Sequence, residues 1–183
     1  MKVHELFEEE EVSILSKFGK HFAKHSKFYA NSISAANVIL TSLEGCPEEI
    51  DGSALFGSNH LTSLKGGPRK VTGDFSITGN ITLTSLDFAP EYVGENFRAE
   101  DCNITSLHNI HKHVKHIGDY LLLKGNPITS HVLGVLLIDG LKMIQMDFKP
   151  VQHILNNHLK GDRDVFACQE ELIEAGYEEF AQL

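Results

Sequence analysis

The chain reads as an α/β repeat protein: a solenoid of about five coils, one short strand per coil, closed by helices at both ends. Three observations predict this. Leu40-Thr41-Ser42-Leu43 returns at Leu61, Leu83, Ile104 and Ile128, with spacings between the threonines of 21, 22, 21 and 24 residues. An asparagine precedes each Thr-Ser pair (Asn37, Asn59, Asn80, Asn103 and Asn126), while Pro47, Pro68 and Pro90 follow it, and then an apolar residue and a glycine. Each unit is too short to bury its own apolar face, so units must stack.

The flanking segments divide the chain into residues 1–31, 32–131 and 132–183. In the first, Val12, Leu15, Phe18 and Phe22 recur at helical spacing, with Lys17, Lys20 and Lys24 off that stripe. Glu8 to Glu11 lie at the start of this run and Lys24 to Lys27 at its end, as a helix dipole favours. This predicts an N-terminal capping helix.

Within the repeats, the stretch between glycine and asparagine alternates. Phe75 and Ile77 are expected inward; Ser76 and Thr78 are expected outward. The five asparagines stack as a ladder whose amides satisfy the backbone where the chain leaves the strand. Leu-Thr-Ser-Leu supplies two more inward residues, and proline and glycine shape the return.

The last segment predicts a short apolar helix over Val132–Ile138, broken by Asp139-Gly140, and a strand within Leu141–Phe148. Pro150 opens a helix with Val151, Ile154, Leu155 and Leu159 inward, and Gly161 stops it. Asp162 or Asp164 caps a final helix facing inward through Val165, Cys168, Leu172 and Ala175.

Composition narrows the function. Of 183 residues, 16 are Lys or Arg and 25 are Asp or Glu, a net charge of −9 that argues against nucleic-acid binding. No apolar run approaches a membrane span. Cys46, Cys102 and Cys168 are scattered and odd in number, fitting a reducing cytoplasm, and the acidic start Met1 to Glu11 has no apolar core of a secretory signal.

The strings Leu61-Thr-Ser-Leu-Lys-Gly-Gly-Pro68 with Gly73-Asp74-Phe75, Pro127 to Gly134, Gly161 to Gly176 and the opening Met1 to Glu8 carry a resemblance. The pattern resembles short bacterial leucine-rich repeats, and more closely the tandem Leu-Thr-Ser-Leu repeat proteins of large tailed bacteriophages. The resemblance implies the solenoid fold and phage origin, and brings no activity with it.

Chemistry is sparse. His108, His111, His113 and His116 fit no single helix or strand face, and they occupy the return segment, where a solvated loop is expected rather than a metal site. The Thr-Ser pairs lack a partner base, and their fivefold recurrence argues for structure. The sequons at Asn80 and Asn103 fall on the repeat's own columns, and Gly66-Gly67 lacks the rest of a phosphate loop. Cys168 does not mark a ubiquitin ligase of the repeat-linked kind: only 52 residues follow His131, and Cys168-Gln169-Glu170 lacks the Cys-x-Asp signature.

The expectation is therefore a non-enzymatic interaction module without cofactor or metal, binding a protein partner in the cytoplasm of an infected bacterial host. The strand face would carry Leu55, Ser76, Thr78, Arg98, Glu100, Leu122 and Lys124, with Leu55 and Leu122 as apolar centre. The alternative is a virion head-associated protein, because Leu6-Phe7-Glu8 fits the Leu-x-Glu pattern at which large phages trim head-targeted proteins.

Overall fold

The computed structural model of the protein describes residues 28–29 and 31–183. The expected N-terminal helix and Leu6-Phe7-Glu8 lie outside the described residues. The chain forms a β-solenoid of about five turns in which all strand pairs are parallel.

Each coil carries two short strands, not the one expected. The first set is β1 (Phe28–Tyr29), β3 (Glu49–Ile50), β5 (Lys70–Val71), β7 (Tyr92–Val93) and β9 (His116–Ile117), stacked in that order as a five-stranded sheet. The second is β2 (Ile33–Ser34), β4 (Ala54–Leu55), β6 (Phe75–Ser76), β8 (Phe97–Arg98), β10 (Tyr120–Leu122) and β11 (Met143–Gln145), stacked as a six-stranded sheet. The apolar-then-glycine column is itself a strand, and the glycine makes the corner to the next. A Cβ on Gly94 would lie 2.0 Å from the Thr72 carbonyl oxygen, and one on Gly118 1.9 Å from that of Gly94. Two coils approach there more closely than any side chain allows. Two-residue strands joined by such a corner do not announce themselves by alternation, which is why the first set is invisible in the sequence.

The interior is a stack of apolar rows. Phe56, Phe75 and Phe97 are fully buried, with ring centroids 6.2 and 5.2 Å apart in edge-to-face contacts. Ala54 lies beside Phe75, and Ala99 lies on the same strand face as Phe97, so large and small side chains alternate to fill the space. Both leucines of the Leu-Thr-Ser-Leu string are buried in every full coil. The serine acts locally, in that the hydroxyls of Ser42, Ser63, Ser85 and Ser106 accept from the backbone N–H two residues on.

The asparagine ladder has three asparagines, not five. Asn59, Asn80 and Asn126 are buried; Asn37 and Asn103 are exposed. Asn80 Oδ1 accepts from Leu61 N–H in the preceding coil, and its Nδ2 donates to the carbonyls of Phe56 and Ile77. Asn126 repeats the pattern with Ile104 N–H and the carbonyls of Ala99 and Leu123. The ladder positions beside Asn37 and Asn103 belong to Val38 and Cys102. Cys102 can serve because its coil neighbour has an extra residue between Asn80 and Leu83. That residue makes a turn in which Leu83 N–H bonds Asn80 O within its own coil, so no acceptor is required from position 102. The Cys102 thiol still donates to Ile77 O at 3.4 Å.

A short helix α1 (Ile110–His113) interrupts the fourth return, and a 3-10 turn (Leu133–Leu137) begins the fifth. Helices α2 (Lys149–Lys160) and α3 (Val165–Glu174) follow β11. Val151, Ile154, Leu155 and Leu159 of α2 are buried as expected, and so are Cys168 and Leu172 of α3, whereas Ala175 is exposed. Asp164, not Asp162, caps α3, accepting from Phe166 N and Ala167 N.

Helix α2 touches the free edge of β11 in a way the sequence did not suggest. Asn156 accepts from Ile144 N at 2.8 Å and donates to Ile144 O at 2.9 Å, the two bonds a neighbouring strand would make. Gln152 accepts from Met146 N, and Lys149 donates to Met146 O. The unpaired groups of an edge strand are thereby occupied.

Candidate binding face

The outer face of the six-stranded sheet is built from residues that alternate with the buried rows. Ser34, Leu55, Ser76, Arg98, Leu122 and Gln145 stand in register across six strands. Thr78, Glu100 and Lys124 form the next row, held by backbone bonds from Ser58, Gly79 and Asp101 to their carbonyls. All seven residues expected on this face are on it, but they do not form an apolar centre. Leu122 is only 9% exposed, in register between Arg98 and Gln145, and three strand steps separate it from half-buried Leu55. At about 4.8 Å per step the two leucines are about 14 Å apart.

The face is polar and cross-linked between coils. Thr78 Oγ1 donates to Glu100 Oε2 at 2.9 Å, and Ser76 Oγ donates to Thr78 Oγ1 at 3.4 Å. Arg98 Nε lies 3.6 Å from Asp74 Oδ2. Asp74 belongs to a second polar column, unread in the sequence, at the corner before the strand: Asp74 N–H donates to Ser53 Oγ, and Asn96 donates to Asp74 Oδ1 through its backbone and its amide. The column varies between Ser, Asp and Asn, so it lacks the constant letter that made the Asn and Thr-Ser columns visible. Lys124 and Tyr120 are exposed at the β10 end of the sheet.

The other two sides differ. On the five-stranded sheet, Tyr92 stacks on His116 with centroids 4.6 Å apart, Lys70 Nζ sits 5.7 Å from the Tyr92 ring, and Arg69 makes two bonds to the Glu91 carboxylate. These pairs join neighbouring coils and fix register. On the Leu-Thr-Ser-Leu side, the extra residue after Asn80 pushes Ile81 outward, 69% exposed. It forms one wall of an open groove of about 880 Å³ over Thr62, His60 and Lys65.

The four histidines diverge. His113 Nε2 faces Asp87 at 3.2 Å, His116 lies on Tyr92, His108 Nδ1 meets Leu183 O at 3.1 Å, and His111 Nδ1 is buried against Gly134. Burial, with Lys112 and Lys115 nearby, holds His111 below the usual imidazole range. Among the described residues no three His, Cys, Asp or Glu converge as a metal site. Burial pushes the Cys46 and Cys168 thiols up to about 12, which keeps both protonated and unreactive. Among the described residues no helix is long and apolar enough to cross a membrane.

Comparison with protein families, with curated proteins and with solved structures finds no match to this chain.

Proposed function

We propose that this chain is a non-enzymatic interaction module that takes a protein partner on the outer face of the six-stranded sheet. One observation carries the reading: the polar groups of that face are already held in place across coils, Arg98 by Asp74 and Glu100 by Thr78. Groups ordered beforehand lose little freedom on binding, so a partner is held at low entropic cost. The partner fits by charge, meeting Arg98 and Lys124 with acidic groups and Glu100 with a basic one.

The Leu-Thr-Ser-Leu string and the buried asparagines favour a coil of the short leucine-rich-repeat type, as in the phage proteins it resembles. That origin implies work in the cytoplasm of an infected bacterial host. Helices α2 and α3 act as the C-terminal cap, supported by the bonds of Asn156 and Gln152 to the β11 edge.

The test is Arg98→Glu with Lys124→Glu in the full chain. Circular dichroism should stay as in the parent, because neither side chain is in the core, and the melt should fall only slightly, since Arg98→Glu gives up a partly exposed pair with Asp74 worth about 1 kcal/mol or less. Partners that co-purify with the parent from infected cells should be lost. Undiminished capture would move the site off this face.

A further inference from the structure

We propose that the outer face of α3 docks the lysine-rich segment 17–27 of a second copy of this chain, joining copies head to tail. With Cys168 and Leu172 turned inward, α3 leaves Phe166, Glu170, Ile173 and Glu174 outside. Phe166 is 78% exposed and Ile173 46%; they lie seven residues apart on one helix face, with Glu170 between them. The face is rigidly presented: Asp164 caps the helix start, and His158 Nε2 meets Glu171 Oε2 at 2.8 Å, tying α3 to α2.

Charge selects the occupant. From Asp162 to Glu179 there are seven acidic residues and one basic. A partner for this face must bring positive charge together with apolar contact. Residues 17–27 contain Lys17, Lys20, Lys24 and Lys27 and no acid. Lysine stems can cover Phe166 and Ile173 while their ammonium groups reach Glu170 and Glu174.

Chain geometry makes the contact intermolecular. Helix α3 packs against α2 and the 3-10 turn, past the last coil, whereas segment 17–27 leads directly into β1 in the first. From β1 to β9 there are four strand steps, about 19 Å at about 4.8 Å each. Lys24 and Lys27, four residues and one residue from Phe28, reach about 14 Å and about 4 Å at most, whereas Lys20 and Lys17, at eight and eleven residues, reach about 28 Å and about 38 Å only when fully extended. Lys24 and Lys27 therefore fall short of α3 of their own chain, and all four lysines can line that helix together only from a second copy. A contact that pairs one end with the opposite end of the next copy leaves a free end on every linear assembly, so assemblies should grow with concentration beyond a dimer.

Sedimentation velocity on the full chain tests this. At about 0.05 M salt the weight-average mass should rise with protein concentration, and at about 0.5 M salt it should fall to that of one chain. Glu170→Lys with Glu174→Lys should give a monomer at low salt, and so should Lys20→Glu with Lys24→Glu. An equimolar mixture of these two variants should regain association, since each then meets its opposite charge. A parent that stays monomeric at low salt, association that ignores salt, variants that associate like the parent, or a mixture that stays monomeric would each overturn the proposal. The strand-face variants Arg98→Glu and Lys124→Glu should leave this association unchanged, which separates the two surfaces.

Discussion

Replacing Asn80 by alanine removes the best-connected rung of the ladder. Asn80 is fully buried and makes three bonds to backbone, one accepted from Leu61 N at 3.0 Å and two donated, to Phe56 O at 3.0 Å and Ile77 O at 2.7 Å. The loss is uneven. Phe56 O keeps its bond from Asn59 Nδ2, and Ile77 O keeps the Cys102 thiol, so neither carbonyl is orphaned. Leu61 N has no other acceptor within reach of the coil's own turn, and a buried unsatisfied N–H costs about 1–3 kcal/mol. The small void left by the amide adds to this, for a total of about 2–4 kcal/mol. In a chain of this length that corresponds to a drop of about 5–10 °C in melting temperature. Asn103→Ala is the internal control, because Asn103 is exposed and outside the ladder; its effect should stay within about 0.5 kcal/mol. Thermal melts of both variants followed by circular dichroism decide the matter. An Asn80→Ala melt within a degree of the parent, or an Asn103→Ala loss as large as that of Asn80→Ala, would refute the rung assignment.

Gln152→Ala with Asn156→Ala frees the edge of β11, so light scattering at high salt, where charge-driven contacts are screened, should show concentration-dependent aggregation; a clear, monomeric solution would count against the edge-covering role. Phe88 sits at φ 64, the turn position that Gly45 and Gly66 fill in earlier coils, and its ring is 55% exposed. Phe88→Gly should therefore stabilise by about 0.5–1 kcal/mol, and a lower melting temperature would show that the ring's contact with His113 outweighs the backbone strain. The Cys168 thiol, pushed up to about 12, gives an alkaline limit. Below pH 9 folded and unfolded chains both keep the proton; between 9 and 12 only the folded chain does, so stability falls as pH rises, by up to about 1.4 kcal/mol per pH unit for this group. Cys168→Ala should flatten the fall in denaturant midpoint above pH 9, and an unchanged slope would assign it elsewhere.

The columns that repeat with constant letters were legible in the linear sequence, and they determined the stacked coil, the buried leucines, Phe75 and Ile77 within, and Ser76 and Thr78 without; the two helices after Pro150 were legible by their own apolar spacing, with the cap of the second open between Asp162 and Asp164. Such columns are readable because the same local chemistry must be solved in every turn. The first set of strands was not legible, since a two-residue strand before a glycine corner has no alternation to show. Asn37 and Asn103 look like rungs by spacing alone. What removed Asn103 was a neighbour's backbone: position 102 need not offer an acceptor, because Leu83 N–H is already satisfied across the extra residue after Asn80. Leu122 points outward as its register requires and is nevertheless only 9% exposed, in register between Arg98 and Gln145 of the adjacent strands. Asn156 and Gln152 read as ordinary helix surface until β11 is beside them. Periodicity assigns each residue a direction. Only the packed coils decide which of those directions still meets water and which backbone groups still want a partner, because both depend on residues about 21–24 positions away.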